Sequence, residues 1–226
     1  MSVFVQREIN KLKKMISSLG GHVEENVGKA VRAVHERDLE MARQVIESDP
    51  DIDQMEVTIE EECLKVLALH QPVAHDLRFI IAVLKVNNDL ERIGDLAAGI
   101  AEQAECLSKL ALGEAPYDLL GMAGKVRTML RDSLDALMDK DAEIAQRVRE
   151  ADDEVDAMDR AMYPEIRAAI REKLDKMEGY IRLLRVSQNL ERIADHATNI
   201  AEDVIYLAEG EIVRHTGQTN GNGNGS

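Results

Sequence analysis

The sequence predicts an all-α protein built as two tandem antiparallel three-helix bundles related by internal duplication. Three observations predict it. The segment Leu90-Glu91-Arg92-Ile93-Gly94-Asp95-Leu96-Ala97-Ala98-Gly99-Ile100-Ala101-Glu102 recurs one hundred residues later as Leu190-Glu191-Arg192-Ile193-Ala194-Asp195-His196-Ala197-Thr198-Asn199-Ile200-Ala201-Glu202, and a repeat of this length fixes the architecture before any helix is assigned. Apolar residues return at helical spacing throughout, and no stretch has the period-two alternation of a strand. The composition is helical as well: Ala, Leu, Ile, Glu, Asp and Arg dominate, and only four of 226 residues are proline.

The duplication orders the elements. Glu47 to Met55 lines up with Glu150 to Met158 at an offset of 103, whereas the opening motif repeats at 100. The three extra residues of the first half therefore belong near His70-Gln71-Pro72-Val73-Ala74-His75, where Pro72 marks a turn and a helix start. Arg37-Asp38-Leu39-Glu40 matches Lys140-Asp141-Ala142-Glu143, making Asp38 and Asp141 the N-caps of the second helix in each half. Helices are expected over Val3 to His35, Asp38 to Leu69 and Val73 to Leu112, then Tyr117 to Met138, Asp141 to Leu174 and Met177 to Ala208. The first repeat is expected to span 1–112 and the second 113–210, with a hinge at Gly113-Glu114-Ala115-Pro116. The tail 211–226, rich in Gly and Asn from Thr216 onward, is expected to be disordered. Gly20-Gly21 weakens the first helix by about 1 kcal/mol per glycine. Pro50 is expected to kink the second helix, the alternative being a break with Asp49 as N-cap.

Charge narrows the partners. The formal net charge is -15, from 43 acidic and 28 basic residues. That opposes nucleic acid and anionic membrane surfaces, which need a basic face, and it suits hard cations or a basic protein. Cys63 and Cys106 form no spaced pair and read as small core residues. Met1 to Met15 has no continuous apolar segment of a signal peptide. The apolar run Phe79 to Leu84 is far short of the roughly 20 residues of a membrane span. A cytoplasmic protein without membrane insertion is the expectation.

The polar faces of the repeated helices carry the chemistry. At roughly 100° per residue, Asn88, Glu91, Asp95 and Glu102 share one side of a helix, while Ile93, Ala97, Ile100, Ala104 and Leu107 take the opposite side. Gln188, Glu191, Asp195, Asn199 and Glu202 form the same face in the second half. The preceding helices carry matching rows, Asp49, Asp53, Glu56 and Glu60, then Asp152, Asp156 and Asp159. Like charges at i,i+3 and i,i+4 oppose the helix by roughly 0.2–0.5 kcal/mol a pair. Convergent carboxylates without imidazole or thiolate are ligands of hard cations, or of several bridged iron or manganese ions. His196 is a candidate nitrogen ligand at the second site. No histidine has Glu three residues before it, which excludes the Glu-x-x-His pattern of di-iron bundles.

Gln71-Pro72-Val73-Ala74-His75-Asp76-Leu77-Arg78, followed by Asn88-Asp89-Leu90-Glu91-Arg92-Ile93-Gly94-Asp95, resembles the first-half signature of the PhoU family. Glu191 to Glu202 resembles its second-half signature, and the similarity runs from about Lys11 to Leu207. The resemblance implies paired three-helix bundles and metal clusters held by Glu/Asp-x-x-x-Asp pairs. Carried over, these are Asp49, Asp53, Glu91 and Asp95, then Asp152, Asp156, Glu191 and Asp195. The metal is iron, manganese, zinc or magnesium. It further implies a homodimeric, non-enzymatic negative regulator of the phosphate regulon. Such a protein works between the phosphate ABC transporter ATPase subunit and a sensor histidine kinase. A metal-storing or polyphosphate-handling helical protein is the alternative. Gly99 stands where the repeat has Asn199, and Pro50 lies between Asp49 and Asp53, so the second site is expected to be the more complete.

Overall fold

The computed structural model describes residues 3–72, 74–110, 112 and 115–209. Six long helices make up this part: α1 (Val3–Glu36), α2 (Leu39–His70), α3 (Ala74–Ser108), α4 (Leu119–Asp139), α5 (Ala142–Glu172) and α6 (Met177–Glu209). A 3₁₀ turn at Leu174–Lys176 precedes α6, and there is no strand among the described residues. The tail 211–226 and the hinge residues Gly113 and Glu114 lie outside the described residues.

The duplication is visible in the turns. Arg37 and Lys140, equivalent positions, adopt left-handed backbones with φ of 59° and 57°. In each half the next residue returns a hydrogen bond to the helix just ended, Asp38 N to Ala33 O at 3.1 Å and Asp141 N to Ala136 O at 3.0 Å. The Asp38 side chain accepts from Met41 N, and that of Asp141 accepts from Glu143 N and Ile144 N. Both aspartates thus satisfy N–H groups that have no partner inside the helix.

Expected and observed helix ends differ most at the close of α3. α3 stops at Ser108 rather than Leu112, because Lys109 N and Leu110 N tighten to i-3 carbonyls and the Arg37 guanidinium donates to Leu107 O. α5 ends at Glu172 and the chain turns through Leu174–Lys176 before α6. α2 runs unbroken through Pro50, so the alternative of a break at Asp49 does not occur.

α1, α2 and α3 pack together, as do α4, α5 and α6. The halves meet through α3 against α6 and α1 against α4, while α2 and α5 touch only their own half. Ile93, Ala97, Ile100, Ala104 and Leu107 are fully buried, as are Leu190, Ile193, Ala197, Ile200 and Val204. Each large aliphatic side chain there contributes about 1.5–3 kcal/mol of burial free energy. Gly20 permits the α1–α4 approach, since a Cβ there would sit 2.5 Å from Leu134 Cδ1. α3 and α6 run antiparallel: Lys85 Nζ meets Asp203 Oδ1 at 2.9 Å, and Arg182 Nη1 donates to Gln103 Oε1 at 3.4 Å. No helix of the described residues is long and apolar enough to cross a membrane.

Candidate metal centre

Each acidic face forms where the second and third helices of a half lie side by side. Burying the apolar stripes of α3 and α6 turns their opposite sides outward, toward α2 and α5. In the first half, one carboxylate oxygen from each of Asp53, Glu91 and Asp95 lies within 4.8 Å of the others. Asp49 stands against α3, its Oδ1 3.7 Å from where a Cβ on Gly94 would be, so Pro50 has not turned it away. Burial raises the Asp49 pKa first, and Asp53, Asp95 and Glu102 add to it. Burial likewise raises Glu91, with Asp95, Asp53 and Glu56 adding and Arg92 opposing. Arg92 straddles the pair, Nε at 3.3 Å from Glu91 Oε2 and Nη1 at 3.3 Å from Asp95 Oδ2. Its side chain is 55% exposed, so water screens much of that attraction.

The second face repeats the arrangement with two carboxyls raised further. Glu191 is pushed up to about 7, by burial first and then by Asp195, Asp159, Asp156 and Asp152. Asp152 is pushed up to about 6, by burial and then by Asp195 and Asp156, with the Thr198 hydroxyl working the other way. Asp195 is also raised, by burial and Asp156, against His196 and Arg192. Asp156 is drawn along its own helix by Arg160, Nη1 to Oδ2 at 2.9 Å. All eight residues expected from the sequence therefore fall on two faces, four to each. The carboxylate triple whose oxygens gather within 4.8 Å of one another among the described residues is in the first half.

Two further expectations change. His196 does not turn to its neighbour Asp195; its Nδ1 lies 2.8 Å from Asp89 Oδ1 on α3. The antiparallel α3–α6 contact places a carboxylate of the other half closer than the acidic face. Gly99 also has a packing reason. A Cβ there would lie 3.1 Å from Asn189 Nδ2 on α6, so a side chain at this position would need the Asn189 amide to shift by a few tenths of an ångström.

The donor set is oxygen only, clustered, partly desolvated and short of counter-charge, which suits a hard cation. The buried Oε2 of Glu91 has the Arg92 Nε ion pair at 3.3 Å but no hydrogen bond, and an ion between α2 and α3 would add a ligand contact on that oxygen. Beneath each face lies a polar residue that helical spacing alone did not single out, Asn87 on α3 and Ser187 on α6. Each is fully buried. The signal available in the sequence was a polar residue beside Val86 or Val186, on the buried side of the helix.

Fold and faces together define a class, a tandem-repeat helical protein with two equivalent carboxylate sites. The PhoU domain model matches residues 16–104 and again 119–204. The chain belongs to the PhoU family. It is 40% identical over 213 residues to a "Phosphate-specific transport system accessory protein PhoU homolog" of Pseudomonas putida, covering 93% of this chain and 82% of that protein. The Escherichia coli K12 protein of the same accessory name is 32% identical, over 93% of this chain and 87% of its own. The crystal structure of PhoU from Pseudomonas aeruginosa superposes with a TM-score of 0.86 at 37% identity, covering 91% of this chain and 99% of that one. The Streptococcus pneumoniae phosphate transport system regulatory protein PhoU gives 0.86 at 33% identity, covering 92% and 99%.

Proposed function

We propose that this chain is a non-enzymatic negative regulator of phosphate uptake and of the phosphate regulon. It acts in the cytoplasm, as a homodimer, between the ATPase subunit of the phosphate ABC transporter and a sensor histidine kinase. The observation supporting this reading is the extent of the relationship: relatives named as accessory proteins of phosphate-specific transport align over 93% of the chain. Residues 1–112 and 113–210 are the two functional repeats, each presenting one acidic face.

In this reading Asp49, Asp53, Glu91 and Asp95 hold metal ions on the first face, and Asp152, Asp156, Glu191 and Asp195 on the second. A bound cation supplies positive charge that lets these carboxylates ionise together. Glu91 and Glu191 present their oxygens from the third helix of each half, and the aspartates of α2 and α5 close the opposite side. Arg92 limits the negative charge of the first face. The Thr198 hydroxyl favours the ionised form of Asp152.

A chromosomal deletion should derepress a phosphate-starvation reporter in phosphate-replete medium. The tagged chain, expressed from its own locus, should co-purify the transporter ATPase or the kinase. Intact repression after deletion, together with capture of neither protein, would replace this reading with metal storage or polyphosphate handling.

A further inference from the structure

We propose that Asn87 and Ser187 are positioning residues that aim one further carboxylate, Glu56 or Asp159, at the metal site of each face. The inference rests on the metal reading above and adds two ligands and their supports to it.

Asn87 and Ser187 occupy equivalent positions on α3 and α6, and Glu56 and Asp159 occupy equivalent positions on α2 and α5. Asn87 Nδ2 donates to the Glu56 carbonyl oxygen at 2.9 Å and to Glu56 Oε1 at 3.3 Å. Ser187 Oγ donates to Asp159 Oδ1 at 3.0 Å, and also lies 3.2 Å from Met122 Sδ. Asn87 is 1% exposed and Ser187 0%. A polar group this deep is costly unless it is hydrogen-bonded. Both halves nevertheless keep one and direct it to the equivalent residue of the second helix, Ser187 to the Asp159 carboxylate and Asn87 to both the Glu56 carbonyl and, at longer range, its carboxylate.

The chemistry of the donors is informative. An amide and a hydroxyl fix one carboxylate oxygen without neutralising it, so full charge and the second oxygen remain for a cation. A lysine or arginine at the same place would have taken that charge. Glu56 lies three residues after Asp53, and Asp159 three after Asp156, which continues each row on the same helix face. The two carboxylates reach across to the third helix through these hydrogen bonds, Glu56 to Asn87 on α3 and Asp159 to Ser187 on α6. Ligating carboxylates elsewhere carry such supporting hydrogen bonds, and losing one weakens metal binding by roughly 10- to 100-fold.

The test is titration of chelator-stripped, full-length protein with Mn²⁺ alone, with apo melting temperature recorded beside it. Ser187→Ala and Asp159→Asn should each weaken Mn²⁺ binding at the second face by about 10- to 100-fold and leave the first face unchanged. Asn87→Ala should do the converse. The double variant Glu56→Asp/Asn87→Ser, which transplants the second-half pair into the first, should regain most of the lost affinity. A purely structural clamp predicts a lower apo melting temperature with wild-type Mn²⁺ affinity in all of these variants, and that result would overturn the proposal. Wild-type protein that binds no Mn²⁺ would overturn the metal reading itself, a different failure from variants that bind as well as wild type.

Discussion

The first acidic face sits under an arginine, and the second holds the carboxyls that burial and their neighbours raise furthest. In the first, Arg92 bridges Glu91 and Asp95, and the Asp53–Glu91–Asp95 oxygens gather within 4.8 Å. In the second, Arg160 pairs with Asp156 along α5, and burial, with the surrounding carboxylates adding to it, pushes Glu191 up to about 7 and Asp152 up to about 6. Beside Asp49 the first half has Gly94, against Ala194 in the second. The duplication has kept which carboxylates oppose one another, while burial and neighbouring residues set how far each is raised.

If the halves are equivalent in packing and differ only at the faces, core truncations should be matched. Ile93→Ala and Ile193→Ala both remove a fully buried side chain, and each should lower stability by about 2–5 kcal/mol in denaturant unfolding. Values differing by more than about 2 kcal/mol would break the equivalence of the two cores.

Gly94→Ala should be milder. The new Cβ would meet Ile52 Cγ2 at 3.1 Å and Cδ1 at 3.3 Å, and Ile52 is itself buried. Overpacking of about 1–3 kcal/mol then outweighs the roughly 1 kcal/mol that alanine gains over glycine in a helix. A net loss of about 1 kcal/mol is expected. A stabilised variant would show that Ile52 yields, and that α2 and α3 are less tightly apposed.

The smallest effect separates the faces by pH. Glu191 and Asp152 titrate above their ordinary values of 4.5 and 3.8, so the folded apo chain holds protons that the unfolded chain releases. Their contribution to stability is complete below those ordinary values and is lost as pH rises through about 6 to 7. Metal-free Glu191→Gln should therefore lose less melting temperature than wild type between about pH 5 and pH 8. A variant that falls as steeply as wild type would remove Glu191 from that balance. Added metal should shrink the difference, since ligand carboxylates must be deprotonated to bind.

Much of this was legible in the sequence, for identifiable reasons. The repeat located the turns, so Asp38 and Asp141 were readable as N-caps, and helical spacing placed Ile93, Ile100 and Leu107 in the core. Spacing also put Glu91 with Asp95, and Glu191 with Asp195, on single faces. It could not show the pairing of His196 with Asp89, because that contact depends on how α3 crosses α6. The end of α3 at Ser108 was hidden for a similar reason, since Arg37 reaches it from the turn between α1 and α2. Asn87 and Ser187 were obscured because they open the polar runs Asn87-Asn88-Asp89 and Ser187-Gln188-Asn189, where one buried member gives no periodic signal.

The most direct measurement is elemental analysis of untagged, chelator-free protein, comparing wild type with Asp53→Ala/Asp95→Ala and with Glu191→Ala/Asp195→Ala. Two independent metal faces predict that wild type carries several equivalents of metal, and that each double variant loses its own share while keeping the other's. Metal absent from wild type, or unchanged in both variants, would contradict the assignment and return the carboxylates to an ordinary solvated surface.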